Sequence, residues 1–437
     1  MADARSTALK LLLRVENTSA YSNIILDQGL AASPISAQDK KLCAALFYGV
    51  LERMHTLDQI INSLLDRPGT KLSAEMRTIL QLAVYQLLYM NAIPESAAVD
   101  EAVKAAKKLS NPSAPGFVNA MLRAFLRGGK ALPAWKNERE KLSVTYSCPL
   151  WLVEKWFNEY GQAAAEELIT TSVGQAPLTV RANTLKLPLD AIMTTLQNEG
   201  ISCEKHPAAP DALNLYGAGA AEMTAAFREG LYHVQDISSQ LCCLALGAKE
   251  GETILDLCAA PGGKSFTVAE NTNGNGHILA FDLHENRVKL IRHGAKRLGL
   301  EGAIRARVGN AKLYNPEIGM VDRVLCDVPC SGLGVIRRKP EIKYKNPAEF
   351  AGLPAVQYEI LVSGAHYVRE GGVLLYSTCT VSRAENDDVV NRFLAENPDF
   401  APEALGIGED PAQTRATFTP ALYSGDGFFV AKFKRVK

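Results

Sequence analysis

Two cysteines stand in short polar loops, each directly behind an apolar run that reads as a strand: Cys330 in Asp327-Val-Pro-Cys-Ser-Gly332 and Cys379 in Tyr376-Ser-Thr-Cys-Thr380. Most cysteines are small buried hydrophobes, and Cys43, Cys203, Cys242 and Cys243 read that way. Cys330 and Cys379 differ because an open α/β sheet binds ligands beyond the carboxyl ends of its strands. A third strand ends in Asp256-Leu-Cys-Ala-Ala-Pro-Gly-Gly-Lys-Ser265. There Cys258, Ala259, Ala260, Pro261, Gly262, Gly263 and Lys264 would let a ligand approach the backbone at a helix N-terminus. The three loops together suggest a thiol that attacks a substrate beside a nucleotide-like cofactor.

The small-residue turn is neither a dinucleotide fingerprint nor a phosphate loop, because Leu257 occupies the place of the first glycine of the phosphate-loop pattern. A nicotinamide dehydrogenase is therefore disfavoured. Asp282 closes the next strand, where its carboxylate can accept both hydrogen bonds of a ribose diol or cap the helix that begins near Glu285.

Elements that would position these loops follow from the periodicity. The first 130 residues read as helices. Ile79, Leu80, Ala83, Val84, Leu87 and Leu88 recur at helical spacing behind Ser73 as N-cap, and a second helix carries Phe117 to Leu126 and stops at Gly128-Gly129. A connector with a helix near Trp151 to Tyr160 leads to a boundary near Gly174 to Pro177. A small α+β segment follows, with strands at Leu178–Asn183 and Ala212–Tyr216 and a helix at Leu189–Glu199. From Thr253 strands alternate with helices: strands at 253–257, 278–281, 304–308, 323–326 and 373–376, and helices at 286–298 and 356–369. Such alternation predicts a mainly parallel, doubly wound sheet, to which Gly427–Phe433 could add an antiparallel strand. The expected division is 1–130, 131–229 and 230–437.

The Asp-x-Cys-Ala-Ala-Pro-Gly-Gly-Lys turn, the Asp-x-Pro-Cys-Ser-Gly loop and the Ser-Thr-Cys-Thr loop, in this order, resemble the RNA cytosine-5 methyltransferases of the NOL1/NOP2/Sun family. The helical first domain is similar to the antitermination factor NusB. The resemblance covers essentially the whole chain and is strongest from about Gly230 onward. It implies a multidomain protein: an all-α NusB-like N-terminal bundle, a small α+β middle domain and an α/β Rossmann-like class I methyltransferase domain. It also implies S-adenosylmethionine as cofactor, 16S ribosomal RNA as partner, and cytosine 967 of that RNA as target.

By the same resemblance Cys379 is the nucleophile that adds to carbon 6 of the base, and Cys330 assists release of the methylated product. DNA cytosine methyltransferases attack with the Pro-Cys thiol instead. Asp327 is expected to meet the ring nitrogen and amino edge of the cytosine, and Lys264 to lower a thiol's pKa, orient Asp327 or anchor the turn. The cofactor would be held by residues 258–264, Asp282, Asn310 and Asp327. Asn310 stands where the family usually has Asp, and Val328 where it usually has Ala; the latter should require only local repacking. A methyltransferase acting on another RNA such as transfer RNA, and a non-catalytic ribosome assembly factor, remain the alternatives.

The 437 residues carry 47 Lys and Arg against 47 Asp and Glu, which argues against a wholly basic nucleic-acid coat and directs attention to local patches. One is Arg287 to Arg307, readable as a solvated helix face. The other is Arg337 to Lys345, where Arg337, Arg338 and Lys339 are expected to contact RNA phosphates. Nine cysteines without paired spacing fit free thiols in a reducing compartment. No apolar run is long enough to span a bilayer and Met1 to Val15 has no cleavage pattern. A cytoplasmic monomer that binds neither metal, membrane nor DNA is the expectation.

Overall fold

In the computed structural model, which describes residues 3–16, 18, 22–67 and 69–437, the chain forms two compact units. The first joins residues 1–174 to 336–345, and the second joins 175–335 to 346–437. Met1 and Ala2, the start of the expected helical domain and of the segment read for a leader, lie outside the described residues.

The first unit holds α1 (Ala4–Glu16), α2 (Ser22–Ala32), α3 (Ala37–Ser63), α4 (Ala74–Tyr89), α5 (Glu95–Ala106), α6 (Ala114–Arg127), α7 (Glu138–Thr145) and α8 (Leu150–Thr170). Ser73 caps α4 by accepting from the Met76 amide, and α6 ends at Gly128 with Gly129 at φ 68°. Buried Leu46, Phe47, Val50, Leu80, Val84, Val118 and Phe125 close one core. Helices α7 and α8, which lie in the expected connector, belong to this unit; α8 breaks at Gly161, at φ 75°, directly after the expected Tyr160, and a further helical stretch continues to Thr170.

The expected division places residues 336–345 in its last domain, 230–437, yet they pack with the helices of the first unit. Glu341 accepts from the Ser22 amide and hydroxyl. The wholly buried Lys343 donates to the carbonyls of Glu52 at 3.0 Å and Ser147 at 2.9 Å. Only long-range packing decides this, so no local pattern could show it.

The second unit opens with a four-stranded antiparallel sheet in the order β2-β3-β1-β4: β1 (Leu178–Ala182), β2 (Ser202–Lys205), β3 (Ala212–Tyr216) and β4 (Tyr232–Val234), with α9 (Leu189–Asn198) and the short α10 (Ala225–Arg228). Strands β2 and β4 escaped the sequence reading because each is so short. Buried Arg181 of β1 binds Glu270 at 2.8 Å and Asp211 at 3.0 Å.

Then follow α11 (Ile237–Leu246), β5 (Thr253–Asp256), α12 (Gly263–Asn271), β6 (His277–Asp282), α13 (Glu285–Leu298), β7 (Ile304–Val308), β8 (Val321–Asp327), α14 (Leu353–Ala365), β9 (Val368–Thr378), α15 (Asp387–Glu396), β10 (Phe400–Pro402), β11 (Arg415–Phe418), α16 (Pro420–Tyr423) and β12 (Phe428–Arg435). The large sheet runs β10-β12-β9-β8-β5-β6-β7, with β11 on β12. Strands β9, β8, β5, β6 and β7 are parallel, and β12 joins β9 antiparallel as expected. The helix expected over 356–369 ends at Ala365, because Val368 already pairs with Val321 at the start of β9.

Burial pushes the Lys343 amine down to about 8. An unfolded lysine titrates near ~10.4. Between those values the unfolded chain binds more protons, so the first unit gains stability as pH rises through that window. The full effect is on the order of 3 kcal/mol. Thermal melts from pH 7 to 10 should therefore show the parent gaining on Lys343→Met above pH 8; a constant difference would count against a buried charge.

Candidate active site

Parallel pairing brings three loops to one sheet edge. Asp327 of β8 pairs with Ser377 of β9, and Asp256 of β5 with Leu325 of β8. Lys264, in the first turn of α12, donates to Asp327 Oδ2 at 2.7 Å and reaches Ser239 Oγ at 3.5 Å. Its Nζ lies 5.0 Å from the centre of the Phe428 ring. Burial would lower this amine's pKa, but the Asp327 carboxylate overrides it and raises it, so the ammonium persists. The other Asp327 oxygen accepts from Ser377 Oγ at 2.8 Å. Of the roles foreseen for Lys264, the geometry displays the contact with Asp327.

The small-residue turn is built as a cradle. Gly262 precedes α12 at φ 116°, and a Cβ there would meet the Phe266 ring at 2.3 Å. Ala259 N donates to Phe281 O and Gly262 N to Ala259 O, both at 2.8 Å. Arg287 donates to Ala260 O at 2.8 Å. Beneath the turn, burial pushes the Asp256 carboxyl up to about 7; its Oδ2 accepts from Ser265 at 2.6 Å and its buried Oδ1 meets no partner. Burial also raises the Cys258 thiol well above its ordinary value.

Asp282 is buried at the end of β6. Its Oδ1 accepts from the His284 amide at 3.3 Å and its Oδ2 lies 3.5 Å from Arg287 Nε. The N-cap of α13 is His284, so Asp282 braces the turn before the helix without capping it. Asn310 follows β7, with Oδ1 accepting from Lys312 N at 3.1 Å, and lines a cavity of about 190 Å³ together with Phe281, Ala311, Tyr314 and Tyr367.

The sulfurs of Cys330 and Cys379 lie 3.0 Å apart and both residues are half-buried. The hydrogen bond with Cys379 and then burial push the Cys330 thiol well above its ordinary value, so Cys330 holds a proton. Val328, in the same loop, is buried and keeps its amide bonded to Ser377 O at 3.0 Å.

Most of the first basic stretch is exposed, and Arg287, Arg292 and Arg297 within it make bonds to the protein. Arg292 binds Glu285 and Ala306 O, and Arg297 donates to Tyr232 O while stacking 3.7 Å over Phe227. Arg337, Arg338 and Lys339 are half-buried in the segment that belongs to the first unit. Sequence reasoning missed Ser377, Gln357, Glu385 and Asn386, which all bind the reactive loops. The polar run Ser382–Asp388, so close behind Cys379, was the one available signal.

The geometry agrees with known proteins. Residues 243–434 match the family model of 16S rRNA methyltransferase RsmB/F, residues 2–127 the NusB family, and residues 148–222 the RsmF/B-like ferredoxin-like domain. The probable ribosomal RNA small subunit methyltransferase B of Bacillus subtilis is 37% identical over 99% of this chain and 98% of its own length. Ribosomal RNA small subunit methyltransferase B of Salmonella typhi is 34% identical over 96% and 95%. The crystal structure of PH0851 superposes with a TM-score of 0.81 at 26% identity, covering 99% of this chain and 98% of that one.

The pair is partly buried, its side chains 13% and 27% exposed, and leaving one partner unsatisfied there costs about 1–3 kcal/mol. Asp327→Asn should accordingly lower the melting temperature. Adding Lys264→Met should recover part of the loss, and strictly additive losses in the double variant would argue that the two side chains act independently.

Proposed function

Because this chain belongs to the family of 16S rRNA methyltransferases RsmB/F, we propose that it methylates carbon 5 of a cytosine in 16S ribosomal RNA, at cytosine 967, through a covalent cysteine–cytosine intermediate. The observation that carries this reading is the pair of sulfurs 3.0 Å apart at the ligand edge of the sheet.

Carbon 5 of cytosine is a weak nucleophile. Addition of the Cys379 thiolate to carbon 6 moves the ring electrons so that carbon 5 can attack a methyl donor. By resemblance to the family Cys379 attacks and Cys330 assists the return step, in which the Cys330 sulfur, as thiolate, takes the proton from carbon 5 while the carbon–sulfur bond breaks, its electron pair returning to Cys379. Asp327 accepts from the amino edge of the base, held in place by Lys264 and Ser377 on its two oxygens. The base must be unstacked for both ring faces to be reached.

The cradle fits S-adenosylmethionine, which when bound supplies an electrophilic methyl group on sulfur. Small residues at the N-terminus of α12, where Gly262 holds φ 116°, and the cavity lined by Leu257, Phe281 and Asn310 favour close approach of such a ligand. Residues 258–264 would follow its methionine portion, Asp282 would accept from the ribose hydroxyls, and Asn310 would line the base pocket with Asp327 nearby. Arg337, Arg338 and Lys339 would neutralise RNA phosphates.

Asp282→Ala should weaken S-adenosylmethionine binding by calorimetry at least about tenfold, ~1.4 kcal/mol; unchanged affinity would remove the residue from the ribose role. Cys379→Ala should abolish methyl transfer and form no adduct. Cys330→Ala should methylate once and stall as a protein–RNA adduct on a denaturing gel, and the opposite pattern would reverse the two roles. Bisulfite sequencing of ribosomal RNA from a deletion strain reports the modified position.

A further inference from the structure

Behind the two thiols lies a polar network with no part in the chemistry described above. Glu385, 2% exposed, receives the Ser331 amide at 2.8 Å on Oε2 and the Ser331 hydroxyl at 2.5 Å on Oε1. Gln357, fully buried, donates to Glu385 Oε2 at 2.9 Å and to Pro329 O at 3.0 Å. Pro329 and Ser331 are the chain neighbours of Cys330, so that cysteine is gripped on both sides.

Asn386, the next residue, does the same for the other sulfur. Its Oδ1 accepts from Thr378 Oγ1 at 2.7 Å and its Nδ2 donates to Thr380 O at 3.0 Å. Thr378 and Thr380 flank Cys379. The two grips are joined, because Ser331 Oγ and Thr380 Oγ1 lie 2.8 Å apart. With the Ser331 proton committed to Glu385, the Thr380 hydroxyl is the donor. Gly334 N adds a bond to Cys379 O at 3.1 Å, and no side chain fits at Gly334, where a Cβ would lie 1.9 Å from Gly427 O.

We propose that Glu385 and Asn386 are positioning residues that fix the spacing of Cys330 and Cys379, Glu385 through the Cys330 loop and Asn386 through the Cys379 loop. Each of these groups is buried, where an unmade hydrogen bond is costly, so the network has one low-energy arrangement and the thiols inherit it. A buried carboxylate that only filled space would not need to take both the amide and the hydroxyl of the residue after a reactive cysteine. The inference rests on the thiol chemistry proposed above only for its effect on catalysis; the spacing itself can be read without RNA.

The test uses the full chain and dibromobimane, which becomes fluorescent when it bridges two thiols, with peptide mapping to identify the Cys330–Cys379 link. Glu385→Gln and Asn386→Ala should each slow that link at least about tenfold. Ser331→Ala, which removes one hydroxyl, should slow it less and serves if a larger change prevents folding. Parent rates in Ser331→Ala and in either other folded variant would overturn the proposal. On RNA, Glu385→Gln should retain adduct after one round, as expected for Cys330→Ala, whereas Asn386→Ala should form less adduct than the parent. Equal loss of both steps in the two variants, tracking their melting temperatures, would show a purely structural role and overturn it. Slowed bridging with no adduct in any variant, Cys330→Ala included, would uphold the positioning role and sink the covalent reading.

Discussion

A charged amine enclosed at the end of a parallel sheet needs a carboxylate, and the 2.7 Å contact between Lys264 and Asp327 supplies it. Burial would lower the pKa of the amine without this partner. The pair obliges the loop after β5 to meet the loop after β8, and Ser377 on the neighbouring strand β9 takes the remaining oxygen. Three strands thus converge on one carboxylate. The alignment of their ends is a property of parallel pairing, and the residues that use it are those whose types first drew notice.

The thiols show a second constraint. Two sulfurs 3.0 Å apart are in direct contact, and either can donate to the other. Burial and a buried carboxylate near Cys330 oppose a negative charge there, while the ammonium of Lys264 is spent on Asp327. Distinct roles for two chemically identical groups can arise from such asymmetry without any change of residue type.

Much of this was legible in the sequence. The strand ending at Asp256, the strand 304–308 and the helix behind Ser73 appeared from periodicity and caps, because those signals are local. The three loops were legible because small, polar and thiol residues interrupt apolar runs at strand ends. What stayed hidden depends on distance through the chain: Lys343 reaching Glu52, Glu385 reaching Ser331, and the β4 strand that completes a sheet begun at Leu178. The helix expected to Arg369 overran because Val368 suits either state, and its pairing with Val321 settles the matter.

The segment 336–345 begins five residues after Ser331, in the catalytic half of the chain, yet it completes the helical unit. A ribosome makes the chain from its N-terminus, so the first 174 residues emerge with the carbonyls of Glu52 and Ser147 waiting for an amine that does not yet exist. Their unit closes only after most of the second has been synthesised. For the same reason no single cut in the chain separates the two units: a fragment beginning at Gln175 would carry a stranded piece of its neighbour, with Lys343 deprived of both acceptors. The protein is modular in architecture and indivisible in sequence.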